Sequence, residues 1–204
     1  AIGVLPNSDL AKETGIKLSD NGAIIVDREG KTNIDSIYAA GDCATIYDKV
    51  LDEQNYFSLA TGANKLGRMV ASNLIGGHEK FFGSLGSACI LAFETEFART
   101  GITEEEAKKR NINYKTVTIK DVDHTHYYPN YEDLHIKLIY SADSRKILGG
   151  QIAGKRGAVL RADVIATAIY SGLTVDELGM LDLCYAPPFA RTWDALNVAG
   201  NAAK

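Results

Sequence analysis

The sequence predicts an α/β segment followed by an α+β domain with an antiparallel sheet. Short apolar runs without alternation occupy the first 40 residues, as in strands that are covered on both faces. The glycine-rich stretch GGHEKFFGSLGS, residues 76–87, then interrupts this pattern. Beyond it, apolar and polar residues alternate, as in antiparallel strands with one exposed face. We therefore expect one domain at residues 1–76 and a second at residues 88–204.

The composition argues against several classes of function. A net charge of −4 and the absence of a basic stripe argue against nucleic-acid and membrane-surface partners. No apolar run reaches the roughly 18 residues of a membrane-spanning helix. The three cysteines are scattered and form no CxxC pair, so we expect neither a disulfide framework nor a zinc site built on cysteines. A reducing, cytoplasmic setting fits this cysteine usage best.

Three short strands are predicted in the first part of the chain, at AIGVLPN, GAIIVD and SIYAA. The chain begins inside the first of these runs and without a methionine. We therefore expect that it starts in the middle of a domain.

A long helix is predicted next, at SLATGANKLGRMVASNLIGG, because apolar residues recur there at steps of three or four. Ser58 is a candidate cap for its start, and Gly76 and Gly77 follow its end. Gly62 and Gly67 lie inside the pattern, where each costs up to about 1 kcal/mol relative to alanine. We therefore expect another group to approach this helix closely.

The second part predicts a mixed order of strands and helices. In chain order, the predicted elements are a strand at ACILAFETEFART, a helix begun by Thr103, strands at NYKTVTIK, LHIKLIYSA and ILGGQIAG, a helix ended by Gly172, a short helix begun by Thr174, an extended segment at LCYAPPF and a last helix at TWDALNVAGNAA. The two prolines of LCYAPPF exclude helix at that point.

An acidic residue at the end of a strand is the first candidate for function. In open α/β sheets, ligands bind beyond the carboxyl ends of the strands, and Asp42 follows the run SIYAAG at such an end. Gly41 leaves the backbone accessible, and a carboxylate accepts hydrogen bonds from a hydroxyl-bearing ligand such as a sugar or ribitol chain. A Gly-Asp pair is also common in turns and helix caps, and the residues alone leave both interpretations open.

The stretch TNIDSIYAAGD resembles the second flavin-binding motif of the pyridine nucleotide-disulfide oxidoreductases, and the resemblance continues in order over nearly the whole chain. The following helix resembles the one whose N-terminus faces the flavin. FARTGITEEEAKK and KILGGQIAGKRGAVLRADVIATAIYSGLTVDEL resemble the dimerisation domain, and LCYAPPF is similar to the coenzyme A disulfide reductase and NADH oxidase branch.

This resemblance implies a flavin site and a homodimer. It assigns the FAD ribitol to Gly41 and Asp42, and the flavin ring edge to backbone donors at Leu59, Ala60 and Thr61. NAD(P)H would be the co-substrate. The chain contains no GxGxxG loop, and neither the redox cysteine nor the NADH domain of the family matches any part of it. The resemblance therefore implies the C-terminal portion of a longer enzyme, which we expect to be inactive alone.

Two tyrosines are the candidate catalytic residues that the resemblance implies. Tyr185, in the Tyr-Ala-Pro-Pro context, and either Tyr127 or Tyr128, in HTHYYPNY, match tyrosines of the coenzyme A disulfide reductases, and we select Tyr127 of the latter two. A neutral phenol donates a hydrogen bond at pH 7, which would stabilise a leaving thiolate or a peroxide oxygen. The alternative is that both rings pack at a dimer interface.

Other polar residues receive structural interpretations from the sequence. We expect Cys184 to be a buried or half-buried thiol rather than a nucleophile. DHTH, residues 123–126, is predicted to be a solvated loop rather than a metal site, because no third ligand is evident. Lys155, Arg156, Arg161 and Arg191 are assigned to the surface by default.

The sequence thus predicts part of an FAD-dependent NAD(P)H:disulfide oxidoreductase similar to coenzyme A disulfide reductase. An NADH oxidase or peroxidase of the same family is the first alternative, since the acceptor is either a small thiol or disulfide or an oxygen species. A stand-alone dimerisation or interaction module without cofactor is the alternative from another class.

Overall fold

A computed structural model describes residues 3–204, so the first two residues of the predicted strand AIGVLPN lie outside the described part. The chain divides into two compact units, of which the first ends at Gly86 and the second begins at Ser87. Each unit has its own secondary structure and its own buried side chains.

The first unit is built around one long helix. Its elements are a 3-10 helix at Asp9–Ala11, the antiparallel strands β1 (Ile46–Asp48) and β2 (Glu53–Asn55), and helix α1 (Ala60–Leu74). The buried side chains of its core are Ile46, Leu66, Met69 and Val70, against which Tyr38, Ala40, Phe57 and Phe81 pack. The apolar face predicted for the helix is therefore buried at its centre, whereas Leu74 at its end is exposed.

The three strands predicted before β1 do not form as regular strands in the described residues. Residues 3–7 are irregular, and the segments at 22–27 and 36–40 contribute isolated bridges. Ile24 bridges Ala44 in parallel and Leu18 in antiparallel, while Tyr38 bridges Lys31. A strand needs consecutive paired residues, and each of these segments is paired at a single residue.

The N-cap residue of helix α1 lies one position later than predicted. Leu59 is the N-cap residue in extended conformation, and no side chain caps this end, so the prediction for Ser58 was wrong. A Cβ atom at Gly62 would lie 2.8 Å from Cδ1 of Ile46, whereas one at Gly67 would have no atom within 4 Å. The expected close approach therefore occurs at Gly62, and the group that approaches is a core side chain of the same unit.

The second unit is a five-stranded antiparallel sheet with helices, which confirms the α+β prediction. Its elements are β3 (Ala88–Ala92), β4 (Thr95–Gly101), α2 (Glu104–Lys109), β5 (Tyr114–Val122), β6 (Asp133–Ser141), β7 (Ile147–Gly154), α3 (Ala158–Ser171), α4 (Val175–Met180) and α5 (Ala195–Ala202). The strand order is β3-β4-β7-β6-β5.

The stretch ACILAFETEFART, predicted as one strand, is a hairpin of β3 and β4 paired from Ala88 with Arg99 to Ala92 with Thr95. Phe93 at the turn has a positive φ of 54° and is fully exposed. Hairpin turns with positive φ usually carry glycine or asparagine, and the absence of such a residue explains why the sequence does not reveal this turn.

One face of the sheet carries the core of the second unit. Leu134, Ile136, Leu138 and Tyr140 of β6 are buried together, as their alternation predicts. Helix α3 packs on β4 and β7, and α5 packs on β5 and β6. These contacts bring the N-termini of α3 and α5 to the polar cluster described below.

The predicted helix ends in this unit are confirmed. The Thr174 side chain accepts from the N–H of Glu177 in a capping box at α4, and Thr103 accepts from the N–H of Glu106 at α2. Gly172 ends α3 in the left-handed conformation. A second capping box, formed by Asp194 and Asn197 at α5, was not predicted.

Gly149 in β7 provides a test of the sheet packing. A Cβ atom there would lie 1.9 Å from the carbonyl oxygen of Ile102, which is backbone and cannot rotate away. We expect Gly149→Ala to lower the free energy of unfolding by about 1–3 kcal/mol. Denaturant unfolding followed by Trp193 fluorescence measures this change. The exposed Ser171→Ala is the control, and equal stability of the two variants would contradict the prediction.

Candidate functional site

Asp42 lies at an exposed turn next to the parallel bridge of the first unit. The Ile24 N–H donates to the Cys43 carbonyl at 2.8 Å, which fixes the backbone beside it. Gly41 has a φ of 93°, and a Cβ atom there would have no atom within 4 Å. The Asp42 carboxylate is exposed. The turn and the ligand-binding interpretations of Asp42 are thus compatible, because a turn presents this carboxylate to solvent.

The N-terminus of α1 is linked to the same turn. The Tyr56 hydroxyl donates to the Asp42 carbonyl at 2.9 Å, and Tyr56 lies three residues before the N-cap residue Leu59. The first N–H groups of a helix have no partner within the helix and carry a partial positive charge. Since no side chain caps this end, the backbone donors at Ala60 and Thr61 are available to an acceptor-bearing ligand.

Tyr127 and Tyr185 form a hydrogen bond in the second unit, although 58 positions separate them in the sequence. Their hydroxyl oxygens are 2.8 Å apart. Tyr127 is 74% exposed and Tyr185 is 44% exposed. The structure therefore brings the two candidate catalytic residues together on the surface of the unit.

This hydrogen bond makes the Tyr127 hydroxyl a weaker acid. The contact with the Tyr185 hydroxyl, helped by partial desolvation, raises the pKa of Tyr127 above the usual value of a tyrosine. Tyr127 therefore retains its proton at neutral pH and remains able to donate it.

The loop that carries Tyr127 is held by a buried carboxylate. The Asp123 N–H donates to the Glu132 carbonyl across the loop at 3.0 Å, and the Asp123 Oδ1 accepts from the Glu132 N–H at 2.8 Å. Arg156 Nε donates to Asp123 Oδ2 at 2.6 Å, and Arg156 also donates to the Asn130 carbonyl. Burial raises the pKa of Asp123, but the Glu132 N–H and Arg156 outweigh it, so the net pKa lies below the usual range.

The solvated-loop prediction for DHTH was therefore wrong for its first three residues. Asp123, His124 and Thr125 are all buried. The His124 ring lies between the Asp123 carboxylate, at 2.8 Å from Nδ1, and the Pro129 carbonyl, at 3.2 Å from Nε2. Each of these buried polar side chains has a hydrogen-bond partner, which for Thr125 is the Pro187 carbonyl outside the loop, at 3.2 Å, and this removes most of the cost of burial.

The surface assignment was also wrong for Arg161. Its side chain is 11% exposed and donates to Asp194, with Nη2 at 2.6 Å from Oδ2. Its Nη2 also donates to the Asp123 carbonyl at 2.8 Å. Arg191 pairs with the buried carboxylate of Asp121. Arg161 and Arg191 therefore each form an ion pair with a carboxylate from a distant position in the sequence of the second unit.

Cys184 is exposed, contrary to the prediction that it is buried or half-buried. It borders a depression of about 370 Å³ that Arg161, Leu160, Pro188 and Phe189 also line. The extended segment that Pro187 and Pro188 impose leaves the thiol outside the apolar core.

Residues 3–204 contain neither a candidate metal site nor a candidate membrane-spanning helix. In that part of the chain, no three His, Cys, Asp or Glu side chains are arranged to hold a metal ion. None of the helices there has the length and apolar character that crossing a bilayer requires. A larger open depression of about 470 Å³ lies over the sheet and contains none of the predicted site residues.

One feature of the sequence indicates that Arg161 is buried. Buried positions of α3 include Ala158, Ala162 and Ile165, and Arg161 lies beside this apolar stripe. A charged side chain that is drawn into such a stripe needs a partner for its charge. The partner, Asp194, is 33 positions away, so the sequence alone does not identify it.

Comparisons with known proteins agree on one family. Residues 87–196 match the family model described as the pyridine nucleotide-disulphide oxidoreductase dimerisation domain, and residues 1–67 match the model described as pyridine nucleotide-disulphide oxidoreductase. These matches confirm the predicted fold class of an FAD-domain end followed by a dimerisation domain.

Individual relatives point in the same direction. Coenzyme A disulfide reductase of Staphylococcus aureus is 36% identical over the whole chain, which covers 46% of that protein. The crystal structure of reduced Bacillus anthracis CoADR-RHD is 41% identical with a TM-score of 0.93, covering 99% of this chain and 36% of the other. The water-forming NADH oxidase from Lactobacillus brevis bound to NADH is 30% identical with a TM-score of 0.94, covering 99% and 45%. The chain thus spans about half the length of the curated relatives that it matches.

Removing one phenol of the pair tests the hydrogen bond. Tyr185→Phe deletes the partner of Tyr127, so the pKa of Tyr127 should fall toward the ordinary tyrosine value. NMR titration of protein labelled with ¹³Cζ-tyrosine measures this pKa. Tyr131→Phe, which removes another exposed phenol of the same loop, is the control. An unchanged Tyr127 titration in Tyr185→Phe would show that the two hydroxyls are not paired in solution.

Proposed function

Because this chain belongs to the pyridine nucleotide-disulphide oxidoreductase family, we propose that it forms the C-terminal part of an FAD-dependent NAD(P)H:disulfide oxidoreductase similar to coenzyme A disulfide reductase. Residues 1–76 would complete the FAD-binding domain, and residues 88–204 would form the dimerisation domain. The separation of the chain into two units near Gly86 supports this division.

The hydrogen bond between Tyr127 and Tyr185 is the observation that carries the proposal. Within one chain the two exposed phenols bury little apolar surface, so packing inside the unit does not account for their pairing. A neutral phenol donates a hydrogen bond to a thiolate that leaves a disulfide. We assign this role to the pair, with water returning any proton that is transferred.

The residues of the first unit fit a bound FAD. The cofactor, when bound, would pass two electrons from NAD(P)H to the acceptor. Asp42 would accept hydrogen bonds from ribitol hydroxyls, and the open space at Gly41 would admit the chain. The uncapped start of α1 would donate to the acceptor edge of the ring from Ala60 and Thr61, where its partial positive charge favours negative charge, whereas the Leu59 N–H already donates to the Phe57 carbonyl at 2.9 Å.

A homodimer is part of the proposal, because the second unit matches a dimerisation domain. In such a dimer the exposed tyrosine pair would serve the acceptor site of the partner subunit. The three free cysteines are consistent with a reducing compartment, and we propose the cytoplasm.

The acceptor separates the proposal from its closest alternative. Similarity to a water-forming NADH oxidase favours an oxygen species as acceptor, and the phenol pair would donate equally well to a peroxide oxygen. The third candidate, a dimerisation module without cofactor, predicts that the protein from the complete gene is colourless.

Stopped-flow kinetics on the protein from the complete gene test the role of the phenols. Tyr185→Phe should slow acceptor reduction by roughly 10²–10⁴-fold, as expected for loss of a proton donor, while flavin reduction by NAD(P)H is unchanged. Coenzyme A disulfide and oxygen are compared as acceptors, and Tyr131→Phe is the control. Equal rates for Tyr185→Phe and the unsubstituted protein with both acceptors would remove the catalytic role.

Flavin content tests the assignment of Asp42. Asp42→Ala removes the acceptor of the ribitol hydroxyls, and a charge-assisted hydrogen bond contributes about 1.5–3 kcal/mol. We therefore expect FAD to bind roughly tenfold to hundredfold more weakly. Titration of FAD into the flavin-free protein from the complete gene measures this affinity. Asp20→Ala, at another exposed site of the same unit, is the control. Unchanged affinity in Asp42→Ala would contradict the ribitol assignment.

A further inference from the structure

Burial does not hold the two phenols in place. Both rings are exposed, and both belong to irregular segments, residues 123–132 and 181–194. Exposed side chains on loops sample several rotamers. Their separation of 2.8 Å therefore depends on how the two segments are fixed to one another.

The Arg161 side chain forms hydrogen bonds to both segments. The guanidinium of Arg161 donates to the Asp123 carbonyl, at the start of the Tyr127 loop. It also donates to both carboxylate oxygens of Asp194, at the end of the Tyr185 segment. Asp194 is itself 8% exposed in its side chain and caps α5 by accepting from the Leu196 N–H at 2.9 Å.

The space for this guanidinium is built into the fold. Gly157, which precedes α3, has a φ of 75°, and a Cβ atom there would lie 2.6 Å from Arg161 Nη1. The Gly157 carbonyl accepts from the same nitrogen at 3.3 Å. A planar group with five fixed donors can serve three acceptors at once, whereas a lysine ammonium on a flexible stem cannot reproduce this arrangement.

We propose that Arg161 is the positioning residue that sets the Tyr127–Tyr185 hydroxyl distance, acting through Asp194 and the Asp123 carbonyl. This inference rests on the proposed role of the tyrosine pair in the reaction. Arg161 itself contacts neither phenol and takes no part in the chemistry. Two further links join the same parts of the unit, the hydrogen bond from Thr125 to the Pro187 carbonyl and the Arg191–Asp121 ion pair.

The test uses two variants that release the same link from opposite sides. Arg161→Gln removes the guanidinium group, and Asp194→Asn weakens the ion pair while keeping the oxygen that caps α5. The matched control is Arg145→Gln, since Arg145 forms a similar two-bond pair with Asp176 away from the tyrosines. All variants are made in the flavin-loaded protein from the complete gene, and circular dichroism establishes that each is folded.

The first measurement is independent of activity. The ¹³Cζ titration of Tyr127 should move toward the ordinary tyrosine pKa in Arg161→Gln and Asp194→Asn, as in Tyr185→Phe, and should not move in Arg145→Gln. If Arg161→Gln does not fold, Asp194→Asn decides the outcome. A Tyr127 titration that is unchanged in the folded variants overturns the proposal.

The second measurement separates this inference from the proposed function. A misplacement of about 1 Å costs up to roughly 100-fold in rate, so acceptor reduction should fall by roughly tenfold to hundredfold in both variants, with flavin reduction unchanged. If Tyr127 shifts in both variants but Tyr185→Phe reduces the acceptor normally, the proposed function fails and the positioning stands. If the rates fall while the Tyr127 titration is unchanged, the positioning fails.

Discussion

The second unit depends most on the interactions of the Asp194 carboxylate. It is buried, it caps α5, and it receives the guanidinium of Arg161 from α3. Two charges removed from water are stable only when hydrogen bonds satisfy them, and here the carboxylate accepts from a backbone N–H as well as from the arginine. One acidic side chain therefore joins two helices and the segment that leads to Tyr185.

The first unit depends on a different constraint. Its helix α1 buries a face against Ile46, while its start remains without a capping side chain. An uncapped helix end has less local stability than a capped one, as the capping boxes at α4 and α5 illustrate by contrast. The open end thus has a cost in isolation, which the flavin proposed to bind there would offset.

The sequence predicts the parts of this structure that local rules determine. Alternation identifies the buried face of β6, and Thr174 and Gly172 mark helix ends, because each signal lies within a few residues of its effect. The turn at Phe93 is missed because its conformation is unusual for that residue type. The Arg161–Asp194 pair and the burial of His124 are missed because they depend on residues that the sheet brings together from distant positions. The candidate tyrosines are an intermediate case, since resemblance selects them but only the fold shows that they meet.

The contact between Tyr127 and Tyr185 has a consequence for the direction of hydrogen bonding. Two hydroxyl groups possess two hydrogens, and either oxygen can be the donor within the pair. One hydrogen is thus always used internally, which leaves a single hydrogen that points outward. Rotation of both hydroxyls together transfers that outward hydrogen from one tyrosine to the other without moving a ring. The pair therefore presents a single outward donor, which either tyrosine can carry. A ligand that moves from one hydroxyl oxygen to the other can keep its hydrogen bond to the pair.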